Sequence, residues 1–191
     1  MRALVVIDAQ NEFSAKGQRP VPNHVEAVGH ISRQVELARR ERRPIAWVRH
    51  YNKPAESAAF VPESWGSELS PGFGPQSGFG PEKIFEKDIF GAFSGTSIEE
   101  WLRSHDVDSV LLAGFYTHMC VSTSAREALM RGFDVAVDYR ATGACDLSDE
   151  FLGTLTANEV RSSALLQLSH LGVAIEHETN ARVASSSRDA A

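Results

Sequence analysis

Short apolar runs rich in β-branched residues recur along the chain, and most are followed by a stretch with the three-to-four-residue spacing of a helix. RALVVID (2–8), PIAWVRHY (44–51), EKIFEK (82–87), DSVLLAGF (108–115), DVAVDYR (134–140) and VAIEHET (173–179) read as six strands. RALVVID is continuously apolar between its first and last residues, as expected of a strand covered on both faces, and DSVLLAGF reads as buried too. One helix is expected from Asn23, with Val25, Val28, Ile31, Val35 and Ala38 on one face and Glu26 placed as in a capping box. Others are expected over 94–106, over 120–131 (stopped by Gly132) and over most of 148–172. Strands alternating with helices call for a mostly parallel sheet, and right-handed crossovers place helices on both of its faces. The expected fold is therefore a Rossmann-like α/β protein, a three-layer αβα sandwich.

The 191 residues suit one domain, taken as 1–180, with a polar tail over 181–191. Residues 52–81 form a long Pro-, Gly- and Ser-rich loop, of a length that is usually functional in a small domain. The net charge of -6 argues against a nucleic-acid partner, which needs a basic face. No apolar run approaches the ~18 residues of a membrane span, and the start MRALVVIDAQ lacks the long apolar core of a signal peptide. Two cysteines, Cys120 and Cys145, make no disulfide framework. A cytoplasmic location is expected, where a thiol stays reduced.

In an open parallel sheet, ligands bind beyond the carboxyl ends of the strands. Strand one ends at Asp8, strand three ends at Lys87, and strand four leads through YTHM to Cys120. Each residue alone has an ordinary explanation: a loop anchor, a solvated cation, a small buried hydrophobe. Brought to one edge, they suit nucleophilic catalysis. A helix start and a nearby ammonium are expected to lower the thiol pKa from ~8.5. A carboxylate takes the thiol proton and returns it to the leaving group. Backbone N–H groups in the turn before Cys120 suit a developing oxyanion.

The stretches VVIDAQNEF (5–13), EKDIFGAFSGT (86–96) and GFYTHMCVSTSAREALMRGFDVAVDYRAT (114–142) resemble the isochorismatase-like cysteine hydrolases. The resemblance implies a six-stranded sheet of order 3-2-1-4-5-6. It implies a triad of Asp8 as base and acid, Lys87 as its partner and Cys120 as nucleophile. It further implies a cis peptide between Phe115 and Tyr116, with the N–H groups of Tyr116 and Cys120 as the oxyanion hole. A homo-oligomer, dimer or tetramer, is implied as well, and the aromatic-rich 52–81 loop is the expected contact surface.

Metal-binding nicotinamidases of this family carry an Asp-x-His pattern and a further His after strand two. VRHYNKP offers only His50, and the other histidines lack ligand spacing. No metal and no cofactor are therefore expected. Gln10, Phe13, Trp65, Phe93 and Tyr116 are expected around a small-molecule substrate. His118 is assigned to scaffolding of the turn and Cys145 to packing. GPQSGFGP lacks the lysine and following helix of a phosphate loop. The expected activity is cleavage of a C–N bond in a small amide, carbamoyl or ureido compound through a thioester, because Cys120 favours acyl transfer. The alternatives are vinyl-ether hydrolysis of the isochorismatase type, using Asp8 and Lys87 alone, and a silent binding protein on the same fold.

Overall fold

The structure, a computed structural model, describes residues 1–53 and 55–177. Six parallel strands form the central sheet: β1 (Arg2–Ile7), β2 (Ile45–His50), β3 (Glu82–Lys87), β4 (Ser109–Phe115), β5 (Asp134–Gly143) and, after a separate hairpin, β8 (Ala174–Glu176). Their order is β3-β2-β1-β4-β5-β8. This is the expected 3-2-1-4-5-6 arrangement, with the sixth sheet strand standing eighth along the chain. The chain starts at the middle of the sheet, builds outward through β2 and β3, then crosses back to β4. The carboxyl ends of β1 and β4 thus flank the topological switch point, where an open sheet leaves a crevice.

Alternate residues of β1 face opposite layers, as the period of two requires. Leu4 and Val6 pack with Ile31, Val35 and Ala38 of α1 (His24–Arg40). Val5 and Ile7 join the opposite core, with Ile98 and Leu102 of α2 (Ile98–Arg103), Ala125 and Ala128 of α3 (Ser122–Met130) and Leu165 and Leu168 of α4 (Ala157–His170). Within α1 the expected apolar face is narrower than the spacing suggests: Val25 is 87% exposed, and Ala27 is buried instead. Asn23 is the N-cap but makes no side-chain cap; its Nδ2 donates to the Thr142 carbonyl 3.3 Å away.

Three expected boundaries move. The 94–106 helix shrinks to α2, because the Thr96 hydroxyl bonds the Ala92 carbonyl and holds a turn before it. The 120–131 helix is preceded by a π-helical turn over Thr117–Val121, so α3 starts at Ser122. Residues 148–172 are only partly helical. A two-stranded antiparallel hairpin, β6 (Leu147–Asp149) and β7 (Gly153–Leu155), occupies the first part. Asp149 Oδ1 accepts from the N–H groups of Phe151 and Leu152, and Gly153 takes a φ of +87° to close the turn. α4 then starts at a full capping box between Thr156 and Glu159. The strand expected over 173–179 is β8, three residues long; residues 178–179 and the tail over 181–191 lie outside the described residues.

Candidate active site

Asp8 follows β1 with φ +51°, a left-handed conformation that Asp tolerates better than most residues. Its N–H bonds the Val48 carbonyl at 2.9 Å, and its own carbonyl accepts from the Gln10 N–H at 2.7 Å. The turn throws the carboxylate off the sheet edge into a fully buried position. β3 ends on Lys87, whose Nζ lies 2.7 Å from Asp8 Oδ2, with both side chains removed from solvent. At β4, Gly114 (φ +122°) lets the strand end press against β1; a Cβ there would stand 1.8 Å from the Ile7 carbonyl oxygen. The following Phe115–Tyr116 peptide is cis, and the π-helical turn then presents Cys120. Lys87 Nζ reaches Cys120 Sγ at 3.3 Å and His50 Nδ1 at 3.2 Å.

The electrostatics of the thiol differ from expectation. Burial pushes the Cys120 pKa well above its ordinary value; the Asp8 carboxylate raises it further, and the Lys87 ammonium opposes this without cancelling it. Cys120 is only 7% exposed, so desolvation of a thiolate outweighs the helix start and the cation. Burial works against the Lys87 charge too, but Asp8 and Cys120 outweigh it and hold the ammonium above its usual range. The surroundings therefore favour the neutral thiol, with the Asp8 carboxylate facing it.

Asp8 and Cys120 line a cavity of about 550 Å³. Its inner wall carries Phe13, Phe60, Tyr116 and Met119, and its rim carries Arg19, Lys53, Glu56, Asp88 and Phe90. Phe13 packs edge-on against Tyr116 at 4.8 Å and lies 5.2 Å from Phe60. Lys53 and Asp88 pair across the rim at 3.2 Å, in an exposed geometry of small energetic weight. The walls suit a small compound with an apolar body, between buried polar groups (Asp8, His50, Cys120) and a charged rim.

Phe13 and Tyr116 stand where a substrate contact was expected; Gln10, Trp65 and Phe93 do not line this cavity. Gln10 is fully buried and straps β2 to a neighbouring loop, through bonds to the N–H and carbonyl of His50 and to the Ser67 carbonyl. Trp65 is half exposed and offers its carbonyl to Asn11. Phe93 is buried in the core, 5.7 Å from Phe133. His118 turns to a different groove with Ser122, Arg126 and Leu147. His50 is the polar residue that the strand-end rule leaves unused in the sequence, although β2 ends on it. Among the described residues, no group of three or more His, Cys, Asp or Glu side chains is placed to hold a metal ion.

Comparison with known proteins gives a consistent assignment. The family model described as Isochorismatase domain matches residues 2–164. The chain is 33% identical to the secreted isochorismatase effector Isc1 of Verticillium dahliae, over 75% of this chain and 73% of that protein. It is 31% identical to nicotinamidase 3 of Arabidopsis thaliana, over 73% and 72% of the two chains. The crystal structure of a putative isochorismatase from Burkholderia xenovorans superposes with a TM-score of 0.84 at 29% identity, covering 92% of this chain and 83% of that one. The match spans the three strand ends that carry Asp8, Lys87 and Cys120, and with it the chain is placed in the isochorismatase family of hydrolases.

Proposed function

We propose that the protein is a cysteine hydrolase that cleaves the C–N bond of a small amide, carbamoyl or ureido compound through a thioester. The observation that carries this is the buried contact series Asp8–Lys87–Cys120, at 2.7 and 3.3 Å, opening on one cavity. Asp8 takes the proton from Cys120 Sγ as sulfur attacks the carbonyl carbon. The N–H groups of Tyr116 and Cys120 hold the oxyanion; that of Tyr116 engages no backbone acceptor among the described residues. When the tetrahedral adduct collapses, Asp8 gives its proton to the nitrogen, which leaves as ammonia or an amine. A water molecule then passes a proton to Asp8 and attacks the thioester. The acid leaves, and the proton returns to sulfur. Lys87 holds the Asp8 side chain in place through both halves and favours its charged form between the proton transfers. The plant relative's name, a nicotinamidase, supports amide hydrolysis as the reaction class.

A second possibility, vinyl-ether hydrolysis, has support from the Asp8 carboxylate: its Oδ1 is buried without a hydrogen-bond partner and Asp8 lines the cavity, so once it has taken a proton from water it can pass that proton to a substrate without help from sulfur. The fungal relative's name points the same way. Turnover of a panel of amides, ureas, carbamoyl compounds and vinyl ethers by wild type, Asp8→Asn and Cys120→Ala separates the two. Expected is loss of turnover in Cys120→Ala and a fall of at least ~100-fold in Asp8→Asn, the low end of proton-transfer effects. Retained turnover in Cys120→Ala with loss in Asp8→Asn assigns the ether chemistry, and no turnover of either class by wild type assigns a binding protein.

No helix among the described residues is long and apolar enough to cross a membrane. Both cysteines are free, which supports a reducing, cytoplasmic setting. The macromolecular partner proposed is a second copy of this chain. The β6–β7 hairpin carries Phe151 and Leu152, 93% and 81% exposed, next to the carboxylates of Asp149 and Glu150. The groove at its base holds Arg126 and His118 beside Leu147 and Leu155. Burial lowers the His118 pKa, so Arg126 is the charged group of the groove; an acidic, apolar tip next to an apolar groove with one arginine makes a surface that can complement itself, as a two-fold interface requires.

A further inference from the structure

We infer that His50 is a positioning residue: it accepts a hydrogen bond from Lys87 and ties that lysine, through Asn52, to the segment that walls the cavity. An ammonium has three donors and no acceptor. Lys87 Nζ forms an ion pair with Asp8 Oδ2 at 2.7 Å, donates to Cys120 Sγ at 3.3 Å and lies 3.2 Å from His50 Nδ1. His50 Nδ1 must then be the bare nitrogen of the ring, and the ring proton sits on Nε2. That assignment is met on the other side, where Nε2 lies 3.0 Å from Asn52 Oδ1. If Nε2–H donates, Asn52 presents its oxygen to His50 and its Nδ2 outward, where it donates to the Ala59 carbonyl at 2.7 Å. The chain of bonds has one consistent direction from Lys87 to Ala59.

Both ends are fixed. The His50 backbone is held in two directions by the Gln10 amide, at 2.8 and 3.0 Å, so the ring cannot drift along β2. Phe60 stands edge-on against the ring at 5.2 Å and is itself a wall of the cavity. The Asn52 N–H also bonds the Phe60 carbonyl at 3.2 Å, closing the 52–60 segment on itself. A lysine on a four-carbon stem has many rotamers; three acceptors in three directions leave one. Without His50, Nζ loses one anchor and the Asp8–Lys87–Cys120 geometry loosens. The titratable groups facing Cys120 are Asp8 and Lys87, with His50 behind the lysine and Tyr116 on the same cavity wall.

This inference rests on Cys120 being the reacting thiol, so its test is made independent of any substrate. The rate of Cys120 alkylation by iodoacetamide is followed against pH in a Cys145→Ser background, for the parent, His50→Phe, His50→Asn and Asn52→Ala. A loosened ammonium stabilises the thiolate less. His50→Phe is expected to move the profile to higher pH by about one unit, a rate about ten-fold lower at fixed pH. His50→Asn, whose Oδ1 falls near the place of Nδ1, is expected to restore most of that rate, and Asn52→Ala to give an intermediate loss. A ring serving only to pack on Phe60 would leave His50→Phe with the parent profile, and that result overturns the inference. If His50→Phe does not fold, nitrogen-15 NMR of the histidine ring in the parent decides. A proton on Nε2 with Nδ1 bare is expected, and a proton on Nδ1 overturns it. Failure of amide turnover with these results intact would count against the hydrolase assignment alone.

Discussion

Lys87 and Cys120 hold their protons more tightly in the folded chain than in the unfolded one, and this sets a direction for stability against pH. Both pKa values are raised on folding. The stabilisation they confer is fully present below the ordinary values, 9.0 for the thiol and 10.5 for the ammonium. It is lost as pH rises through the folded values. Urea denaturation between pH 7 and 10.5 is expected to show stability falling above about pH 9. Cys120→Ala should fall less steeply, since it removes the thiol part. Equal slopes in the two proteins would show that the buried thiol does not titrate as its surroundings require. Of these residues, Asp8, Lys87 and Cys120 are legible in the sequence because each ends or follows a segment that reads as a strand. The raised thiol pKa is not legible, because it depends on how deeply Cys120 is buried and on which charges meet it. His50 is legible as a strand-end polar residue, but nothing in VRHYN tells that its ring faces Lys87.

Among the elements, β4 carries the tightest backbone demand. Gly114 combines φ +122° with a missing Cβ that would overlap the Ile7 carbonyl. The ladder to β5 shifts register between Leu112 and Gly114, and the Thr142 hydroxyl donates to the Gly114 carbonyl at 2.7 Å. Gly114→Ala is expected to destabilise by at least ~2 kcal/mol, from strained φ and backbone overlap together. The urea midpoint measures it, and a loss below ~0.5 kcal/mol would mean that β4 can move away from β1. The central strands β1, β2 and β4 are readable in sequence because burial on both faces forces nearly continuous apolar runs, whereas the edge strands β3 and β8 are only partly buried and give a weaker signal. The hairpin is not read as such because Phe151 and Leu152 mimic a helical spacing. Two local signals do mark it: Gly153, which takes the positive φ of the turn, and the Thr156-x-x-Glu159 spacing, which starts α4 only afterwards. The π-helical turn before α3 has no comparable signature in THMCV.

For the whole molecule, the strand order places Asp8 and Cys120 beyond the carboxyl ends of neighbouring central strands, β1 and β4, and Lys87 at the end of the edge strand β3, two strands from β1, so its long side chain closes the cluster. That arrangement follows from strand–helix alternation and the family resemblance together, since alternation alone does not choose the order. The oligomer contact is harder to place from sequence. In the 52–81 loop Phe73 packs on Trp47 at 5.6 Å within the same chain while Trp65 and Phe79 stay about half exposed, and the hairpin tip is more open still. The double variant Phe151→Ser, Leu152→Ser is expected to run as a 20.9 kDa monomer in light scattering where the parent runs as a dimer or tetramer. A parent that is itself monomeric would remove the interface. The covalent role of Cys120 is tested most directly by the intact mass of the protein, acid-quenched during turnover of an amide substrate. A mass increase equal to the acyl group, mapped to the peptide containing Cys120 and absent from Cys120→Ala, is expected. An unmodified mass, together with a Cys120→Ala variant that turns over the same amide at the parent rate, would contradict it.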